Sequence, residues 1–420
     1  MQKEKLVPAI RFKGFSEEWK ANRLSSYLNV VVKRNEQLRY SQNEVLSVSK
    51  DSGVINQIKY LGRSYAGSDL RNYKILELSH IVYTKSPLNE TPFGIIKTNN
   101  YEQGIVSTLY ATYEPSSACH SNFVEHYFSK YDRLNNYLYP LVNKGAKNTL
   151  LISDEIALGG RVVFPSFDEQ QEISDLLDNL ALLIHSQELK LEKLQTIKQS
   201  LLNKMFAPYD RKIPEIRFKG FKEEWKEFKL GNIGIFNSNG VDKIYREKDN
   251  VVHMVNYMDV YNKIAITSNN IDSFMITTAN NSELLKNNLI KGDILFTPSS
   301  ETIDDIGHTL VVQETIPNLV YSYHLVRFRP NSEEFWESFA NYCLDQKRLC
   351  AQYMLRAQGV QRFVLNREHF NSLSAVKPSI SEQKKINDLL SSFDSYIKSQ
   401  EQKLEKLNNI KQALLEKMFC

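Results

Sequence analysis

The sequence predicts an α+β chain in which two pseudo-symmetric domains are joined by two long helices that pair as an antiparallel coiled coil. Three observations predict it. Pro8-Ala-Ile-Arg-Phe-Lys-Gly-Phe-Ser-Glu-Glu-Trp19-Lys20 returns as Pro214-Glu-Ile-Arg-Phe-Lys-Gly-Phe-Lys-Glu-Glu-Trp225-Lys226. Pro165 to Phe206 returns as Pro378 to Phe419, with roughly 25 of about 42 positions identical. Both closing stretches carry a heptad seam, whereas the filling between opener and closer differs greatly between the halves. At 420 residues the chain is too long for one core and suits two heads plus connectors. The expected division is 1–166 for the first head, 167–206 for its helix, 207–379 for the second head and 380–420 for its helix.

In chain order, the opener of each half is followed by short β-like runs broken by Gly, Asn, Ser and Pro. In the first half these are Glu44-Val-Leu-Ser-Val-Ser49, Ile81-Val-Tyr-Thr84, Phe93-Gly-Ile-Ile96 and Gly104 to Tyr113, and a helix is expected from Ser121 to Leu138. The second half answers with Val251-Val-His-Met-Val255, Ile294-Leu-Phe-Thr297, His308-Thr-Leu-Val-Val312 and Val320 to Phe328, then a helix near Ser332 to Arg348. Tyr83-Thr-Lys-Ser86 up to Gly94 aligns without gaps on Phe296-Thr-Pro-Ser299 up to Gly307, so the two heads share one layout. The openers lie 206 positions apart and the closers 213, which gives the second head a net seven extra residues, gained before Ile294.

Asp168 to Phe206 contains no Gly or Pro and is rich in Leu, Glu, Lys and Gln. Ile173, Leu177, Leu180, Ile184, Gln187, Leu191, Leu194, Lys198, Leu201 and Met205 advance by alternating steps of four and three. That spacing is a heptad seam, so one helix of about 39 residues and roughly 58 Å is expected. Its twin runs Ile386, Leu390, Phe393, Ile397, Gln400, Leu404, Leu407, Lys411, Leu414 and Met418. Two matched seams in one chain are expected to pair with each other. An antiparallel sense would bring the central Gln187 and Gln400 close together, where a polar contact penalises slipped registers.

Composition narrows the function classes. The net charge is only +4, so basicity alone does not announce nucleic acid, while the 22 tyrosines suit polar recognition surfaces or β-rich cores. No apolar run approaches the roughly 18 to 20 residues that span a bilayer, and the start of the sequence lacks a signal-peptide apolar region. Cys119, Cys343, Cys350 and Cys420 form no CxxC pair, so a reduced cytoplasmic setting is expected. There is no phosphate loop, GxGxxG, HExxH, GxSxG or Asn/Asp-Pro-Pro-aromatic motif. His120 and His126 sit six apart, a poor ligand spacing, and nothing fixes Asp154-Glu155 or Asp304-Asp305 as a metal site. No catalytic residue and no metal ligand is therefore assigned.

The duplicated closers Pro165-Ser-Phe-Asp-Glu169-Gln170-Gln-Glu-Ile173 and Pro378-Ser-Ile-Ser-Glu382-Gln383-Lys-Lys-Ile386 resemble those of the specificity subunit of type I restriction-modification systems. So do the openers Ile10-Arg-Phe-Lys-Gly-Phe15 and Ile216-Arg-Phe-Lys-Gly-Phe221, and the stretch Gly292-Asp-Ile-Leu-Phe-Thr297-Pro-Ser-Ser300-Glu. The resemblance covers essentially the whole chain and rests on the order and duplication of its motifs. It implies two target-recognition domains, each reading one half of a bipartite site in double-stranded DNA. Two methyltransferase subunits that bind S-adenosylmethionine and modify adenine would dock on the scaffold. Restriction/translocase subunits using ATP and Mg would join them, with no cofactor held by this chain. A rigid helix pair of roughly 58 Å could hold two readers about one turn of DNA apart.

Base reading needs side chains that match base edges, whereas phosphate contacts only position the protein. Polar and basic residues on loops between strands are the natural candidates. In the first head these are Lys59, Arg63 and Tyr65, then Lys85, Ser86 and Asn89, then Lys144, Lys147 and Asn148. In the second they are Ser299, Ser300 and Thr302, then Arg356, Gln358, Gln361 and Arg362. Gly145 and Gly359 would permit close backbone approach in the last loop of each set. Trp19, Trp225 and the Arg-Phe-Lys-Gly-Phe repeats are expected to be framework, because near-identical residues cannot encode two different half-sites. Two rival readings stand beside this one: a coiled-coil adaptor whose heads bind proteins, and a DNA-cutting enzyme with an unrecognised site.

Overall fold

Each head begins and ends on one pair of strands. In the first, Lys20–Arg23 follows Trp19 directly and pairs antiparallel with Arg161–Phe164, which stops at Pro165. In the second, Lys226–Lys229 pairs in the same way with Ser374–Lys377, which stops at Pro378. Proline has no N–H for the ladder, so pairing ends there and the chain turns into the long helix. This computed structural model describes residues 6–88, 90–144, 150–208 and 210–420. It divides into two compact units, Met1–Glu188 with Gln402–Cys420, and Leu189–Glu401.

Between the clasp strands lies a four-stranded antiparallel sheet of the same order in both heads. The first head runs Leu28–Val30, Ala111–Pro115, Ile81–Tyr83, Ile96–Thr98, and the second Gly234–Asn237, Val326–Pro330, Ile294–Phe296, Thr309–Val311. The central strands Ile81–Tyr83 and Ile294–Phe296 are buried throughout, as expected of strands covered on both faces. The seven extra residues are a net figure. The connection from Leu46–Ser49 to Gly53–Asn56 takes three residues in the first head, but 19 separate the matching strands Asn250–Val255 and Met275–Ala279 in the second. The link that follows each pair is shorter in the second head.

Two expected helices are broken. Ser121 to Leu138 is two helices, Ser121–Phe128 and Tyr131–Leu138, because the Ser129 hydroxyl donates to the carbonyl of His126 at 2.7 Å and Lys130 is extended. The bend lets Phe128 and Tyr137 meet at 4.8 Å in the core. The helix expected near Ser332 to Arg348 is Phe339–Leu344 followed by Lys347–Arg356. Gln346 is extended between them (φ −75°, ψ 152°), and the adjacent Asp345 accepts from Thr309 Oγ1 at 2.6 Å, which fixes the corner.

The long helices span Phe167–Met205 and Ile380–Lys417. Every seam position is buried or half-buried, including Ile173, Leu180, Gln187, Leu194, Leu201, Ile386, Phe393, Gln400, Leu407 and Leu414. In the first unit Ile173 and Leu177, near the start of one helix, share a core with Leu415, Met418 and Phe419 at the end of the other. In the second, Met205 and Phe206 share a core with Ile386 and Leu390. Start therefore meets end twice, which makes the pair antiparallel. Lys198 pairs with Asp394, and Lys190 donates to Gln400 Oε1 at 3.0 Å.

The repeated openers tie these helix ends down. Arg11 makes two parallel bonds of 2.7 Å to the buried carboxylate of Glu169, and Arg217 makes bonds of 2.6 and 2.8 Å to Glu382. Both glutamates stand in the first turn of a long helix, where the helix dipole favours negative charge. The Ile10 N–H donates to the carbonyl of Lys417 and the Ile216 N–H to that of Lys204, each at 2.9 Å, so carbonyls left over at the helix ends are satisfied. Trp19 packs edge-on against Phe419 at 6.4 Å, and Trp225 edge-on against Phe206 at 5.8 Å. The next residue of each closer does a second job. Gln170 accepts from the His120 N–H and donates to the carbonyls of Ala118 and Pro165; Gln383 accepts from the Trp336 N–H and donates to that of Pro378.

Removing one partner from a buried, bidentate ion pair strands the other charge. Arg217→Ala should cost about 3–5 kcal/mol, read as a lower midpoint in urea unfolding, while an Arg217→Ala/Glu382→Met double variant should recover part of the loss.

Candidate nucleic-acid interface

In the first head the short helix Gln57–Leu61 stands on an N-cap from Asn56, whose Oδ1 accepts from the N–H groups of Ile58 and Lys59 at 3.0 and 3.1 Å. Gly62, at φ 75°, ends it. The chain then folds back, with the Tyr65 N–H donating to Gln57 Oε1 at 2.8 Å. Lys59, Arg63 and Tyr65 are thereby brought to one short segment. Lys59 pairs with Glu102 at 2.6 Å and lies over the Tyr101 ring, and Arg63 lies 4.7 Å over the Tyr65 ring. Tyr60, Tyr65 and Tyr101 are all exposed around them. Exposed rings beside cations form a surface able to stack and to neutralise phosphate.

Lys85 and Ser86 are used differently. Lys85 joins Lys74 on the carboxylate of Asp154, and both ammoniums are largely buried. Burial pushes the Asp154 carboxyl up, but the two ammoniums outweigh it and hold it below the usual carboxylate range. Ser86 donates to the carbonyl of Thr84 at 3.2 Å. Lys144 lies in the short strand Asn143–Lys144, paired with Leu150–Leu151. Asn89, Lys147 and Asn148 fall outside the described residues, as does Gly145.

The second head assembles its candidates more tightly. Ser299–Ser300 pairs antiparallel with Phe363–Val364. Gln358 and Val364 exchange both backbone hydrogen bonds, at 3.0 and 2.8 Å, closing a hairpin over residues 359–363. Gly359 is required at its φ of 133°, since a Cβ there would lie 1.9 Å from the carbonyl oxygen of Arg362. Arg362 Nε donates to Ser299 Oγ at 3.3 Å, so two segments separated by 63 residues meet. Gln358, Gln361, Arg362 and Thr302 are exposed, whereas Ser300 is buried and accepts from the Thr302 N–H at 3.3 Å. Arg356 turns to Ser372 Oγ at 3.1 Å and to its own helix instead.

Sequence reasoning missed the neighbours of this hairpin. Tyr257 and Tyr261 lie on the short helix Tyr257–Tyr261 inside the 19-residue connection peculiar to this head. Tyr257 Oη donates to the carbonyl of Ser299 at 2.8 Å, its ring stacks on Tyr261, and Tyr261 meets His308 edge-on at 4.7 Å. His308 Nε2 is 2.8 Å from Asp305 Oδ1. Burial holds the His324 imidazole below its ordinary value, with the charges of Lys243 and Arg362 adding to the effect. The signal was present in the length offset before Ile294 and in Asn256-Tyr-Met-Asp259, a capping box that announces a helix. Among the described residues no group of His, Cys, Asp and Glu could hold a metal ion, and no helix is long and apolar enough to cross a membrane.

A rigid hairpin and a helix-borne aromatic row thus stand beside a frame that duplicates itself. Residues 222–409 match the model of the type I restriction modification DNA specificity domain. That stretch holds most of the second head and most of its long helix, so this part of the chain is similar to that domain. It is 29% identical over 140 residues to a protein of Methanocaldococcus jannaschii named as a type I restriction enzyme MjaX specificity subunit. That match spans 33% of this chain and 32% of the relative, about a third of its length. The crystal structure of a type I restriction-modification S subunit from M. genitalium covers 99% of both chains with a TM-score of 0.57 at 12% identity, which shows the shared fold. The HsdS subunit from Thermoanaerobacter tengcongensis aligns over 96% of each chain at 13% identity and a TM-score of 0.43.

Lys85 and Arg63 should separate by stability. Lys85→Ala leaves a largely buried carboxylate one ammonium short and should cost about 1.5–3 kcal/mol, whereas Arg63→Ala should stay within about 0.5 kcal/mol. Thermal unfolding of the two variants beside the parent checks both.

Proposed function

We propose that this chain reads double-stranded DNA as the specificity subunit of a type I restriction-modification complex, each head taking one half of a bipartite target. One observation carries the reading. The repeated residues are consumed in holding helix ends (Arg11 on Glu169, Arg217 on Glu382, Trp19 and Trp225 in the cores), while the unrepeated residues supply the exposed polar and aromatic surfaces. A frame used twice with different fillings suits two different half-sites and one kind of partner bound twice. Specificity would come from base-edge contacts on the rigid loops, and affinity from Lys and Arg on phosphates.

The segments 1–166 and 207–379 are the proposed target-recognition domains, and 167–206 and 380–420 the helices that set the unread spacer and dock two methyltransferase subunits. Those subunits would bring S-adenosylmethionine and modify adenine. Restriction/translocase subunits would bring ATP and Mg, the whole assembly working in the cytoplasm. Within the first head, Lys59, Arg63 and Tyr65 are the proposed contacts best supported by exposure. In the second, Gln358, Gln361 and Arg362 are, with Tyr257 and Tyr261 beside them.

The test is co-expression with the cognate methyltransferase, followed by genome-wide mapping of methylated adenines. A two-part motif is expected. Exchanging residues 20–150 for those of another family member should change one half and leave the other half intact. An unchanged motif after that exchange would sink the assignment of one head to one half-site.

A further inference from the structure

Val360 is the most exposed large apolar side chain among the described residues, with 93% of its surface open. An isolated exposed apolar residue is ordinary on a protein surface. What sets this one apart is its mounting. It sits at the tip of the hairpin closed by the paired Gln358 and Val364 backbones, next to the turn that only glycine at 359 can make. The base of the hairpin is fixed twice more, by the pairing of Ser300 with Phe363 and by the Leu365 N–H on the carbonyl of Pro298 at 2.8 Å. The backbone behind Val360 is thus pre-organised, and a contact made there costs little ordering.

The residues around it decide what it fits. Gln361 and Arg362 follow it on the same tip, both exposed. In the major groove a glutamine amide matches adenine, a guanidinium matches guanine, and the only apolar feature on any base edge is the thymine 5-methyl group. A phosphate backbone offers no partner for a valine side chain, and a protein partner would be expected to cover it as part of a wider apolar patch. Here its neighbours on the tip are Gln358, Gln361 and Arg362, while the exposed Met354 and Leu355 lie on the preceding helix and Val364 at the hairpin's base. We infer that Val360 packs against the 5-methyl group of a thymine in the half-site read by the second head, so that Val360 is a specificity-determining residue for a T·A pair. The inference rests on the second head being a DNA reader.

The experiment uses the full chain in complex with its methyltransferase and duplexes carrying the mapped target. Each thymine of the second half-site, on either strand, is replaced in turn by uracil, which deletes one methyl group and nothing else. For the parent complex, one replacement should weaken binding about fourfold, the worth of one buried methyl, and the others should change it little. Val360→Ala should bind the all-thymine duplex several-fold more weakly and lose its response to that same uracil. No sensitive thymine, or an equal uracil response in Val360→Ala, overturns the inference. So does a Val360→Ala variant that no longer co-purifies with the methyltransferase, which would make the tip a protein contact. If the parent complex does not prefer its mapped duplex over a scrambled one, it is the DNA-reading assignment itself that fails, whatever uracil does.

Discussion

The chain depends on a guanidinium placed on a buried carboxylate at the first turn of each long helix. Arg11 on Glu169 and Arg217 on Glu382 are the same interaction made twice. Glu169 and Glu382 are each 1% exposed, so removing either arginine would leave a buried carboxylate without its partner. The arginine in turn belongs to an opener whose backbone closes the end of the other long helix, through Lys417 in one unit and Lys204 in the other. One short motif thereby fixes a helix start and a helix end together. That ties Ile-Arg-Phe-Lys-Gly-Phe and Glu-Gln together physically: the arginine holds the glutamate, and the glutamine beside it holds several backbone groups.

With the frame secured by repeated residues, the filling is free to differ. The four-stranded sheet keeps its order in both heads, and the differences collect in the connections around it. The second head spends its extra length on one long connection that carries Tyr257 and Tyr261 to the strand at Ser299. The first head has three residues at that point and builds instead around Gln57–Leu61. Such a division lets the exposed surface of a head change without touching the residues that hold its helix ends.

Much of this could be read in the sequence, and what could not has identifiable causes. The seam was legible because all ten positions in each helix follow a heptad, and even Lys198, which breaks its apolar character, is held there by Asp394. The framework role of Trp19 and Trp225 followed from their repetition. The two helix breaks were not legible, because Ser129 and Asp345 act through a back-bonded hydroxyl and a tertiary hydrogen bond that local propensity does not record. Lys85 read as an open loop residue, since nothing local announces Asp154, 69 positions away. The convergence of Arg362 with Ser299, and of both with Tyr257, is likewise a product of strand pairing between distant segments.

The central claim is that repeated residues hold and unrepeated residues read. It is tested most directly by Arg11→Lys combined with Arg217→Lys, since lysine keeps the charge but cannot make the paired bonds of a guanidinium. The measurement is the methylation motif of the assembled complex, mapped beside the unfolding midpoint of the chain. A lower midpoint with both halves of the motif and its spacer unchanged is the predicted result. A motif altered in either half at an unchanged midpoint would contradict the account.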